Sequence, residues 1–192
     1  EIDKSIQEYQ KIITRKTNKR SMESGGVNSG SLILAYDALA TLYTYSPKKD
    51  LGKAIMFTKK SLSLRPNYPL YHHSLGNIYS YLNQNAQAEK HLNIAIDLDP
   101  ENYMFNNSLA KLYQKTGKYD KALDIYQKLL QLLETDENRD KKAYVDTLES
   151  IGSVHRELNN YSTAETYYKK IVEFQKDLFG DKSNEYFEAY VD

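Results

Sequence analysis

The sequence predicts an all-α protein built as a stack of antiparallel helical hairpins, and three observations carry that prediction. One pattern recurs at a fixed interval. Within each copy the apolar residues fall at helical spacing. Between the periodic runs lie short polar clusters, "SPKKD", "LNQN", "TGKYD" and "LNNYS", which suit tight turns. The interval comes from aligning "LGNIYSYLNQNAQAEKHLNIAIDLDP" with "LAKLYQKTGKYDKALDIYQKLLQLLE". Gly76 falls on Ala110, Tyr79 on Tyr113, Ala88 on Ala122, Leu92 on Tyr126 and Ala95 on Leu129, each pair 34 residues apart.

Each element follows from this frame. Residues 1–16 form a helix with Ser5, Tyr9 and Ile12 in the slots of a second helix, belonging to a preceding repeat. Residues 16–31, "KTNKRSMESGGVNSGS", read as a flexible loop, with Lys16, Lys19 and Arg20 as a solvated basic helix end. The first full repeat spans 33–68, with Leu39-Ala40, Tyr43, Ala54 and a closing Pro66. Its turn is two residues longer, since Ala40 and Ala54 stand 14 apart whereas Gly76 and Ala88 stand 12 apart. The second spans 69–102 and closes on Pro100; the third spans 103–136.

The fourth spans 145–178, with Ile151-Gly152, His155, Ala164, Tyr168 and Ile171 in register. From Ala110 to Gly152 the interval stretches to 42 through "LLETDENRDKKAYVD". The second-helix slot near the closing end holds Ser61 and Ala95, then Leu129 and Ile171. A change of helix separation and curvature is therefore expected at that junction. Residues 183–192 start a following helix, and the chain, which opens without Met, reads as a piece of a longer one.

The small residues give the pattern its physical sense. Ala40, Gly76, Ala110 and Gly152 let a partner helix approach, and Ala54, Ala88, Ala122 and Ala164 do so from the other side. Each hairpin keeps an apolar face that only a neighbouring hairpin can cover. This combination resembles the tetratricopeptide repeat family over roughly residues 33–175. The longer interval is similar to that of kinesin light chains and of repeat arrays fused to caspase-like domains. The resemblance implies a right-handed superhelical solenoid whose first helices line a concave, protein-binding groove.

Composition narrows the function. Lys plus Arg and Asp plus Glu both total 26, so no global charge draws the chain to nucleic acid or an anionic membrane. No cysteine is present, which excludes thiolate chemistry in this segment. The longest apolar stretch, "SLILAYDALATLY", is too short and too interrupted to cross a bilayer. No phosphate-loop, dinucleotide, zinc-protease or nucleophile-elbow motif occurs, and the acidic runs do not follow the calcium-loop pattern.

The histidines at "YHHSLGNIYSY" fill repeat slots. His72 takes the bulky slot held elsewhere by Tyr36, Asn106 and Leu148, and His155 takes the aromatic slot. His73 points about 100° away from His72, so the two do not share a metal. His91, beside the aromatic slot of Leu92, is expected to face outward. No catalytic, cofactor or metal site is expected, and the chain is read as a non-enzyme.

By the resemblance, the groove is lined by Leu34, Asp37, Thr41, Thr44 and Tyr45, then by Leu70, His73, Asn77, Ser80 and Tyr81. It continues through Met104, Asn107, Lys111, Gln114 and Lys115 to Asp146, Glu149, Ser153, Arg156 and Glu157. The candidate peptide-binding residues are Thr41, Tyr45, His73, Asn77, Tyr81, Asn107, Lys111, Lys115 and Arg156. Asp37, Thr41 and His73 stand where the family's carboxylate clamp would begin, so a chaperone C-terminus is not the expected partner. The expected role is a protein-interaction scaffold, without direct nucleic-acid binding or membrane insertion, placed in the cytoplasm. Other domains of the parent chain are further partners to consider. The alternative is a sensory or regulatory segment of a larger bacterial signalling protein, such as a transcription regulator, sensor kinase or caspase-like protease. The Lys/Asn/Tyr richness suits a low-GC bacterium.

Overall fold

The computed structural model describes residues 2–20, 29–47, 49–135 and 140–179. Among them run nine α-helices and no strand: α1 (Ile2–Arg20), α2 (Ser29–Tyr45), α3 (Leu51–Leu64), α4 (Pro69–Tyr81), α5 (Asn85–Leu98), α6 (Tyr103–Lys115), α7 (Tyr119–Thr135), α8 (Lys141–Glu157) and α9 (Tyr161–Phe179). The start of a helix expected over 183–192 lies outside the described residues. The chain divides into two compact units, Glu1–Phe105 and Asn106–Asp192, and the boundary falls inside α6. Helix enters the stretch read as a loop over 16–31 from both ends, since α1 continues to Arg20 and α2 begins at Ser29, and 21–28 lie outside the described residues.

In the first unit α2–α3 and α4–α5 are antiparallel hairpins, and the sequence slots are buried. Ala54 and Ala88 have no exposed surface, and Tyr43, Ser61, Tyr79 and Ala95 are buried with them. Ile6, Tyr9 and Ile13 of α1 pack onto the cluster of Leu32, Tyr36, Leu39, Ala40, Tyr43 and Phe57. Lysines on the second helices then lie over these tyrosines: Lys53 Nζ is 5.0 Å from the Tyr43 ring centre and Lys60 Nζ is 5.4 Å from that of Tyr36. Such cation–ring contacts keep the ammonium hydrated while its stem covers apolar surface. Asp37 joins three helices. Its carboxylate accepts from Ser61 Oγ of α3 and, at 2.8 Å, from Tyr71 Oη of α4.

The turns repeat as faithfully as the core. Asn83, Gly117 and Asn159 occupy one equivalent position, and all three adopt the left-handed conformation, with φ of 58°, 72° and 61°. The next residue donates its backbone N–H to the carbonyl of the residue in the aromatic slot. These bonds are Gln84 to Tyr79 (2.9 Å), Lys118 to Tyr113 (2.8 Å) and Asn160 to His155 (2.8 Å). That 6→1 bond satisfies a carbonyl the helix leaves open at its C-terminus. In the first repeat the same carbonyl, of Tyr43, is reached by Asp50 (2.9 Å), across the two extra turn residues.

The second unit packs Tyr126, Leu148, Ile151 and Val154 out of contact with solvent. Its 42-residue interval is absorbed almost wholly by helix. α7 has 17 residues where α3 and α5 have 14, the surplus lying after its buried Ala122, and α8 has 17 where α4 and α6 have 13. Asp140 caps α8, accepting from the N–H groups of Lys142 (2.9 Å) and Ala143 (3.1 Å).

Candidate peptide-binding groove

On α2, Thr41, Thr44 and Tyr45 share a face by their three- and four-residue spacing; on α4, Ser74, Asn77 and Tyr81 do the same. The two faces bound a cavity of about 250 Å³, closed below by Ala40, Leu51, Thr58 and Ile78. Tyr45 and Tyr81 stand at its rim, 81% and 64% exposed. Lys49, from the lengthened first turn, lines the same cavity and holds its ammonium 3.5 Å from the Tyr81 ring centre. Leu34, Leu70 and Met104, which occupy equivalent positions on successive first helices, are also exposed.

Of the sequence candidates, Thr41, Tyr45, Asn77 and Tyr81 therefore come together. Lys49, Ser74, Leu51 and Thr58 join them without having been singled out. Only the extra length of "SPKKD" hinted at Lys49, because a longer turn can fold a residue back over the helix ends.

His73 is not an open contact residue. It is 8% exposed, its ring lies 5.0 Å from that of Phe105, and its Nε2 stands 3.0 Å from Asn77 Nδ2. Burial holds its imidazole below the ordinary value, toward the neutral form. Asp37 likewise is engaged by Ser61 and Tyr71. Burial first, then the hydrogen bond and charge of Asp37, push the Tyr71 phenol above its ordinary value.

The remaining candidates belong to the second unit, where Lys111, Lys115 and Arg156 are exposed and Asn107 is half-buried. Here Gln114 ties first helices together: its Nε2 donates to Ser153 Oγ (3.2 Å) and Glu157 Oε1 (2.8 Å). Tyr126 Oη donates to Gln114 Oε1 at 3.4 Å. A hydrogen bond to Glu157 is also the main reason the Tyr119 phenol titrates above its ordinary value.

His72 is buried, as its slot implies, but His91 departs from expectation. Its ring turns inward and stacks on Tyr79 (5.6 Å between centres, 18° between planes), and its Nδ1 lies 3.0 Å from His72 Nδ1. The helical period fixes the direction of Cβ but not which way a ring leans from it. His155 sits in the aromatic slot, stacked on Tyr167 at 5.9 Å. Among the described residues no three His, Cys, Asp or Glu side chains converge as metal ligands, and no helix is long and apolar enough to cross a membrane.

Residues 70–102 and 102–177 each match a family model of the tetratricopeptide repeat. Tetratricopeptide repeat protein 37 of Xenopus laevis is 26% identical over 140 residues, covering 71% of this chain but 9% of that protein. Among solved structures, BtubC (BKLC) from P. vanneervenii aligns with a TM-score of 0.78 at 18% identity, over 93% of this chain and 75% of its own. MamA aligns at 0.68 with 20% identity, over 92% and 90%. A kinesin light chain of Podosopora anserina with nearly identical TPR-like repeats aligns at 0.74 with 10% identity, over 93% and 89%. At these identities the structural likeness is one of fold. With the two models together spanning more than half of the sequence, and with the same small slots buried in hairpin after hairpin, the chain belongs to the tetratricopeptide repeat family.

Proposed function

We propose that this chain is a non-enzymatic interaction module that holds an extended peptide, or a segment of a partner protein, across its first helices. Proteins of this family generally mediate protein–protein interactions. The observation that carries the reading is the cavity between α2 and α4 with Tyr45 and Tyr81 exposed at its rim. Tyrosine offers a large, stiff, amphipathic contact surface, and exposed aromatic residues beside a pocket are typical binding anchors. Asn77 supplies an amide at the cavity wall for a peptide backbone. The exact balance of charge supports a protein partner rather than nucleic acid.

The test is a displayed random-peptide library selected on the wild-type chain, with the selected peptides then measured against Tyr45→Ala, Tyr81→Ala and Asn107→Ala. Each tyrosine variant is expected to weaken binding by about tenfold or more, the cost of a typical hot-spot truncation, with the helical circular dichroism unchanged. Asn107→Ala reports whether the peptide also reaches the second unit. Peptides that bind the tyrosine variants as tightly as wild type would remove this groove from consideration.

A further inference from the structure

His72 on α4 and His91 on α5 meet across the second hairpin, Nδ1 to Nδ1 at 3.0 Å, with ring centres 5.3 Å apart. Two ring nitrogens at that distance hold one proton between them, one presenting N–H and the other its lone pair. The far side of His72 decides which. Its Nε2 lies 3.4 Å from the carbonyl oxygen of Pro66, which can only accept, so Nε2 carries the proton of a neutral His72. His72 Nδ1 is then the acceptor and His91 Nδ1–H the donor. Stacking on Tyr79 keeps the His91 ring from turning away.

We propose that this histidine pair is an acid-sensitive seam in the second repeat: the packed hairpin admits one proton and refuses the second, so acidification loosens α4 from α5. The first proton goes to His91 Nε2 and leaves the Nδ1–H···Nδ1 bond intact. A second must go to His72 Nδ1, which sets two N–H groups head-on at 3.0 Å and two cations side by side. The charged groups acting on His91 disfavour its own protonation as well. Lys59 comes from α3 and Lys90 from α5, while Tyr79 of α4 contributes a ring face. Burial, followed by the charges of His72, Lys90 and Lys59, holds the His91 imidazole below its ordinary value.

The sign follows from linkage. Below the ordinary imidazole value of 6.5 the unfolded chain binds both protons and the packed pair does not, so protonation favours unpacking. Stability contributed by the seam is complete above that pH and is lost as pH falls below it, by up to about tenfold in the folding equilibrium per pH unit for each refused proton. Asn77 and Tyr81 ride on α4, so the cavity wall is governed by the same seam. That last consequence rests on the binding reading, whereas the seam itself does not.

The experiment is urea unfolding of the full chain at pH 7.5 and 5.5, for wild type and for His91→Asn, whose amide does not titrate and can turn to offer His72 Nδ1 either an N–H or, once His72 is protonated, its oxygen, so that the refusal is lifted. The wild type is expected to lose about tenfold more of its folding equilibrium constant across this interval than the variant does. The other histidines are common to both backgrounds and cancel in the difference. Long-range ¹H–¹⁵N spectra of ¹⁵N-histidine wild-type protein give a second measurement that needs no variant. The expected state at pH 7.5 is Nε2–H for His72 and Nδ1–H for His91. An unchanged pH dependence in His91→Asn would overturn the proposal. So would two fully protonated rings at pH 5.5 with α4 and α5 amide shifts unmoved.

Discussion

Gly76 shows how much rests on a missing side chain. A Cβ added there would lie 2.6 Å from Leu92 Cγ and 2.9 Å from its Cδ2, with the Ala88 carbonyl at 3.3 Å. Leu92 has no exposed surface. Alanine is the better helix former by about 1 kcal/mol, but overpacking costs about 1–3 kcal/mol, so Gly76→Ala is expected to lower stability by up to about 2 kcal/mol in urea denaturation. Equal stability would mean that Leu92 yields freely. Asn83 is governed by its backbone instead. At a φ of 58°, Asn83→Val is expected to cost about 1–2 kcal/mol, whereas Asn83→Gly is neutral or better, as thermal melts would show.

The same scale shows where sequence reading succeeds. Gly76 and Tyr79 were legible because packing slots recur and each copy checks the others. His73 was not, because what covers it is Phe105 of another helix, and no periodicity within α4 reports that neighbour. The abundance of tyrosine over phenylalanine also becomes intelligible. These rings have one face in the core and another under a lysine, as with Lys53 on Tyr43 and Lys121 on Tyr113, and the hydroxyl suits that half-wet boundary.

Among the elements, the stretched interval was visible as a count but not as a shape. "LLETDENRDKKAYVD" is polar enough to read as loop, yet helix occupies both of its ends, with 136–139 outside the described residues. The lengthened helix α8 depends on its first residue's neighbour. Asp140 satisfies two of the open N–H groups, and Asp140→Ala is expected to lower the melting temperature in step with a loss of about 1 kcal/mol. A drop no larger than that of an exposed Asp→Ala elsewhere, such as at Asp120, would deny the cap its role. The "SGG" stretch misled in the opposite direction, since its composition spread the expected loop over helical residues at both ends.

For the whole molecule, repeat architecture makes stability local: each hairpin is held by itself and its immediate neighbours. The consequence is measurable by amide hydrogen exchange. Gly76→Ala is expected to reduce protection in α4 and α5 while α8 and α9 keep theirs; a uniform loss across all helices would show the chain to unfold as one cooperative block. The family and the hairpin order were readable from sequence because they rest on recurrence. The composition of the cavity was less so, since it combines faces of two helices with a turn residue, Lys49, whose position depends on the path of the chain.

The turn bonds carry one more implication, about how such a chain changes length over time. Each one starts and finishes inside a single hairpin, from Gln84 back to Tyr79, from Lys118 to Tyr113 and from Asn160 to His155. A duplicated or deleted copy therefore takes its punctuation with it, and no junction is asked to invent a new turn. Surplus residues are tolerated where they only prolong a helix, which needs no new closing bond. The 42-residue step between the third and fourth copies is one such insertion, written into the ends of α7 and α8.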